Sequence, residues 1–174
     1  MTHTAYLAAT CFAISAIGGP PLLDIAPWLL WNASASVPVG LYALRPVDTP
    51  TLGDLVAVDP PQALARFITA RGYAGPDVPL LKQVAALPGQ EVCRSGNTVA
   101  IDGIAVATAL SRDSRGRDLP VWQGCRLIGR DEIFLLNASV RDSLDSRYFG
   151  PLPARSVIGQ AVPLWTGGGD GEGH

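Results

Sequence analysis

The chain has 174 residues, 48% of them hydrophobic, with 15 prolines, 19 glycines and a formal net charge of −2. That length can bury one real core, which argues for a single compact domain behind a short hydrophobic leader. The charge balance provides no basic patch for a nucleic acid, and the abundance of proline and glycine points to a turn-rich β protein.

Residues 5–19 carry no charge and break at Pro20-Pro21, after which residues 22–31 continue apolar apart from Asp24 and Pro27. A clean run of that length is short for a straight membrane span of about 20 residues. Residues 1–31 therefore read either as a signal-anchor, with Trp28 and Trp31 at headgroup level, or as a cleavable secretory signal. Both readings predict export, with the inner membrane as partner of this segment and the domain in the periplasm. Ala33-Ser34-Ala35 imitates a leader cleavage site, but it lies too far beyond the apolar core and is assigned to the folded domain, residues 32–166.

Strand-like pieces at 42–47 and 54–58 are each closed by proline, and 62–71 places Leu64, Phe67, Ile68 and Arg71 at helical spacing with Gly72 as the stop. Residues 80–87 read as a buried strand ended by Pro88-Gly89. Strands at 91–94, 98–101 and 104–108 form a meander with turns at Ser95-Gly96-Asn97 and Asp102-Gly103. A solvated loop at 111–118, closing strands at 126–136 and 156–165, and a disordered tail at 167–174 complete the expectation. Cys11 falls in the leader, so Cys93 and Cys125 are the remaining pair, either one disulfide in an exported protein or two reduced buried thiols.

Of the 13 basic residues only Lys82 is a lysine, and it sits inside an apolar run. Arginine cannot lose its proton, whereas a desolvated lysine can, so Lys82 is a candidate general base, the alternative being a lysine that snorkels at the surface. The two histidines are His3 and His174, one near each end, and no cysteines are spaced as C-x-x-C. A Ser-His-Asp triad and a Cys-His dyad are thereby excluded, few soft ligands are left for a zinc site, and no metal or other cofactor is expected.

Three segments belong together. They are 32–42 with its serines, 79–89 with its lysine, and 134–150 with Asp142-Ser143-Leu144-Asp145-Ser146-Arg147-Tyr148-Phe149-Gly150. In order and wording they resemble the bacterial type I signal peptidases, a family of Ser/Lys proteases. The resemblance implies a mainly β fold, a compact antiparallel and barrel-like sheet with one short internal helix and an N-terminal hydrophobic helix. Two features depart from the general leader peptidases. Proline follows Ser36 after one residue, and the usual Gly-Asp-Asn-Arg lead-in is here Asn137-Ala138-Ser139-Val140. Both look more like the TraF branch, the maturation proteases of conjugative transfer, which implies a pilin precursor as partner, cut and in some systems cyclised. A general leader peptidase acting on other exported pre-proteins, and a catalytically silent assembly protein, are the alternatives.

By this resemblance Ser36 is the nucleophile and Lys82 its base, and the backbone N–H of Ser36 with the Ser34 hydroxyl forms the oxyanion hole. Ser34 could equally be a turn serine capping its own backbone. Ser143 resembles the serine that orients the lysine, and Asp145 and Arg147 a salt-bridged pair supporting the site, with a more direct role for Asp145 in the TraF branch as the alternative. The substrate is expected to add as an extended strand.

Overall fold

The computed structural model describes residues 3–18 and 29–167. The break at Pro20-Pro21, the anchor residue Trp28 and the expected disordered tail beyond Gly167 lie outside the described residues. Helix α1 (His3–Gly18) takes the apolar leader, and Tyr6, Leu7, Phe12 and Ile14 on it are exposed. No described helix is long and apolar enough to cross a membrane.

The domain is mainly β. Its strands are β1 (Leu29–Asn32), β2 (Gly40–Arg45), β3 (Leu55–Val58), β4 (Leu80–Ala86), β5 (Glu91–Ser95), β6 (Thr98–Ile101) and β7 (Ile104–Thr108). They continue as β8 (Gly124–Leu127), β9 (Glu132–Leu135), β10 (Leu152–Pro153) and β11 (Val157–Thr166), with helices α2 (Gln62–Ala70) and α3 (Ser146–Phe149) interposed. A seven-stranded sheet has the order β1-β2-β11-β3-β4-β9-β10, and a four-stranded sheet the order β7-β6-β5-β8. Every recorded pairing is antiparallel. Strand β1 runs across the junction that the sequence suggested between leader and domain, because Leu29–Asn32 pair with Gly40–Ala43 of β2.

Local chemistry explains most of these elements. Tyr42 and Leu44 alternate into the core along β2, and β3 is almost wholly buried between β11 and β4. Gly40 is required by a close approach: a Cβ there would collide with the Trp165 carbonyl oxygen of β11. The turn after β6 has positive φ at both Asp102 and Gly103, the conformation that an Asp-Gly hairpin favours. Helix α2 ends at Ala70, one residue earlier than its spacing suggests, with Arg71 as its cap and Gly72 at φ 65°.

One expectation is corrected. Residues 126–136 do not form a single strand, because the chain turns between β8 and β9 and the two lie in different sheets. The Glu132 carboxylate accepts the Gly129 N–H at 3.0 Å and closes that turn. The polar break Gly129-Arg130-Asp131 between the two apolar pieces is the local signal of this turn, and a single strand drawn from 126 to 136 runs through it. Phe134, Val92, Val99 and Leu136 form one buried cluster; Val56, Val58, Val84, Ile133 and Leu135 form a second, which takes in Val84 of the strand that carries Lys82.

Candidate active site

The site forms where the loop after β1 meets the start of β4 and the turn before α3. A cavity of about 640 Å³ opens there, lined among others by Trp31, Ser34, Ser36, Lys82, Ser143 and Leu144. A smaller one of about 340 Å³ adjoins it and shares Ala35 and Ser36. The half-buried nucleophile candidate thus stands between two hollows.

Lys82 follows from its strand. On β4 its cross-strand partner is Val56, and Val84 lies two residues along on the same face; both are fully enclosed. Only 5% of Lys82 remains exposed. Burial is the main influence on its amine, opposed by the nearby Asp145 charge and assisted by Arg147, and the pKa falls from 10.5 to about 8. The Nζ donates to Ser143 Oγ at 3.0 Å. Ser143 is delivered by two consecutive turns, Val140 N–H to Asn137 C=O and Ser143 N–H to Val140 C=O.

Asp145 and Arg147 form a buried ion pair, with side-chain exposures of 0% and 1%. Asp145 Oδ1 accepts from the backbone N–H and Nε of Arg147, and Oδ2 from Asn137 N–H and Arg147 Nη2. These four bonds occupy the acceptor sites of the carboxylate. Arg147 also reaches the carbonyls of Asn137 and Arg141, which fastens both ends of the turn that presents Ser143.

Ser36 Oγ lies 3.0 Å from Ser34 Oγ. Among the described residues no hydrogen bond joins Ser36 to Lys82 directly; the two face the same cavity, the lysine bonded to Ser143 and the serine to Ser34. Cys93 and Cys125 are joined in a disulfide on directly opposed positions of β5 and β8, outside the cavity. Glu91 lies close enough to these sulfurs to suggest a metal cluster, but the two sulfurs are consumed by their mutual bond.

Four residues that sequence reasoning passed over hold this geometry. Asn137, which had counted only as part of a departure from the family wording, is saturated. Its Nδ2 donates to Ser36 C=O at 2.8 Å and Leu81 C=O at 3.2 Å, and its Oδ1 accepts from Gln83 N–H at 3.1 Å. One amide therefore ties the serine loop to the backbone on both sides of Lys82. Asn32 does comparable work inside the serine loop, and Tyr42 OH anchors the loop through Pro38 C=O at 2.6 Å. Arg94 is buried with no carboxylate partner among the described residues, donating to Arg147 C=O at 2.7 Å and lying over the Tyr148 ring. A lone buried asparagine or arginine has no local sequence signal, because its partners are remote in the chain.

The chain belongs to the signal peptidase family: residues 3–165 match the family model described as "Signal peptidase, peptidase S26". It is 38% identical over 145 residues to a probable conjugal transfer protein TraF of Sinorhizobium fredii, covering 78% of this chain and 76% of that protein. A plasmid transfer protein TraF of Escherichia coli is 31% identical over 147 residues, covering 78% and 81%. A signal peptidase I of Leptolyngbya laminosa is 27% identical over 116 residues, covering 66% and 52%. The crystal structure of an Enterococcus faecalis signal peptidase I aligns with a TM-score of 0.39 and 22% identity, over 66% of this chain and 98% of that one.

Proposed function

We propose that the protein is a membrane-associated serine endopeptidase of conjugative transfer, with Ser36 as nucleophile and Lys82 as general base, processing an exported precursor of which a conjugative pilin is the leading example. One observation carries this: the only lysine of the chain is buried, held near a pKa of about 8 and fixed by Ser143 in the cavity that also receives Ser36. A buried amine with that pKa is neutral in a useful fraction at working pH and can take the serine proton during attack. Once protonated it returns the proton to the departing amine. Ser36 N–H and the Ser34 hydroxyl are the donors for the oxygen that gains charge.

The edge position of β1 supports an extended substrate. Leu30 and Trp31 of this first strand and Leu80 and Leu81 of β4 face the same cavity, so a peptide laid between them crosses Ser36. Trp31 stacks on Trp165 at 5.7 Å, both exposed beside Leu29 and Leu164, an aromatic and apolar face suited to a bilayer surface. The relatives named for conjugal and plasmid transfer favour a transfer precursor over general secretory leaders.

The test is processing of a candidate pilin in cells carrying Ser36→Ala or Lys82→Arg. Each should leave uncut precursor, and normal processing by a stably folded Lys82→Arg protein overturns the assignment. Mass spectrometry of the product reports the acceptor: a further loss of about 18 Da marks ring closure by an amine instead of hydrolysis. Equal cleavage of an ordinary secretory precursor would favour a general leader peptidase.

A further inference from the structure

The loop that carries the serines encloses one buried polar side chain that the dyad chemistry does not use. Asn32 closes β1, and its Nδ2 hydrogens are shared among the carbonyls of Ser34, Val37 and Pro38 at 2.8, 3.1 and 3.1 Å. Three carbonyl oxygens can be faced only by the NH₂ end of an amide, which assigns the other end as oxygen. That oxygen, Oδ1, meets Ser34 N at 3.1 Å and Ser34 Oγ at 2.8 Å. An amide oxygen only accepts, so Ser34 donates its single hydroxyl hydrogen to Asn32. The 3.0 Å contact between the two serines must then be donated by Ser36.

We propose that Asn32 is a positioning residue for the nucleophile, acting through Ser34: by taking the Ser34 hydrogen it leaves the Ser34 oxygen as acceptor and sets the resting direction of the Ser36 O–H. The inference rests on Ser36 being the nucleophile. It means that both hydrogens the chemistry needs are engaged in one chain, Ser36 to Ser34 to Asn32, before substrate arrives. The carbonyl oxygen of the scissile bond replaces Asn32 Oδ1 as acceptor of the Ser34 hydrogen. Ser34 turns, Ser36 loses its resting acceptor, and its proton passes to Lys82 Nζ as the Oγ–C bond forms and the carbonyl π pair moves onto oxygen. A single exchange of acceptor thus readies the nucleophile and the oxyanion donor together.

The experiment measures cleavage of a synthetic peptide that covers the processing site of the precursor, by four proteins: wild type, Asn32→Ala, Ser34→Ala and the double variant, each checked for folding by thermal melt. Asn32→Ala should lower kcat about tenfold with KM within about twofold, and should lower it less than about twofold once Ser34 is already alanine. Equal losses in both backgrounds would mean that Asn32 serves only the loop carbonyls, which overturns the proposal. A neutron structure of the wild-type protein reads the proton order without any variant or turnover. Deuterium on Ser34 Oγ directed at Asn32 is expected; deuterium on Ser34 directed at Ser36 overturns it. If Ser36→Ala still cleaves, the dyad assignment fails while the neutron result continues to judge the proton order.

Discussion

The two sheets are held by different means. In the seven-stranded sheet the strands around the site bury apolar side chains and are laced by saturated polar ones, Asn137, Asp145 and Arg147. In the four-stranded sheet β8 is exposed along its whole length, and β7 buries no residue fully. A strand that buries nothing gains little from the hydrophobic effect, and here the Cys93–Cys125 bond attaches β8 to β5. Precision at the site comes from buried hydrogen bonds; in the flank β5 and β6 are held by an apolar cluster, and exposed β8 by a covalent link. Arg94 of β5 connects the two through Arg147 C=O.

The contrast can be broken first at the buried ion pair. Arg147→Met leaves Asp145 charged and enclosed, and should cost about 3–5 kcal/mol in chemical denaturation, abolishing cleavage even where the fold survives. Cys93→Ser with Cys125→Ser should cost about 3 kcal/mol, the entropy of closing a loop with a sequence separation of 32, while leaving the pKa of Lys82 in place. If the double serine variant instead shifts the pH profile of cleavage, the flank and the site are not separable in this way.

The pH profile follows from Lys82. In the proposed dyad its neutral form is the active one, so kcat/KM should rise about tenfold per pH unit below about 8 and level off above it. The stability effect has the matching sign. Below about 8 the buried amine is charged and carries a penalty of about 3 kcal/mol relative to the unfolded chain, which disappears as the pH rises from about 8 towards 10.5. Lys82→Met should therefore be inactive but more stable than wild type at pH 7, with the gap narrowing by pH 10; a variant that melts lower at pH 7 contradicts the desolvated base.

Asn137→Ala removes the tie between Ser36 C=O and the lysine strand. It should cost about 1–3 kcal/mol of stability and lower kcat more than it raises KM, since the serine loop is no longer fixed against β4. The smallest effect sharpens the comparison from the other side: Leu127→Ser, on exposed β8, should change stability by no more than about 0.5 kcal/mol.

The parts readable in the sequence are those whose chemistry is local. A lone lysine in an apolar run, a serine before Val37-Pro38, the Asp-Gly hairpin and the run from Asp142 to Gly150 each carry meaning within a few neighbours, and they led to the family, the antiparallel class and the candidate dyad. Helix α2 was equally plain because its spacing and its Gly72 stop are contained in one segment. The split between β8 and β9 has its turn signal in Gly129-Arg130-Asp131, but the sheet that each piece joins depends on partners remote in the chain.

Identity and order of the reactive groups were thus set by the chain itself, through what each side chain can donate, accept or give up. Their arrangement was decided only on folding. Asn137 reaches Ser36 across 101 residues and Arg94 reaches Arg147 across 53. Lys82 becomes a weak base only when Val56 and Val84 exclude water around it. Desolvation and long-range hydrogen bonds are properties of packed neighbours, and no stretch of sequence contains its own neighbours.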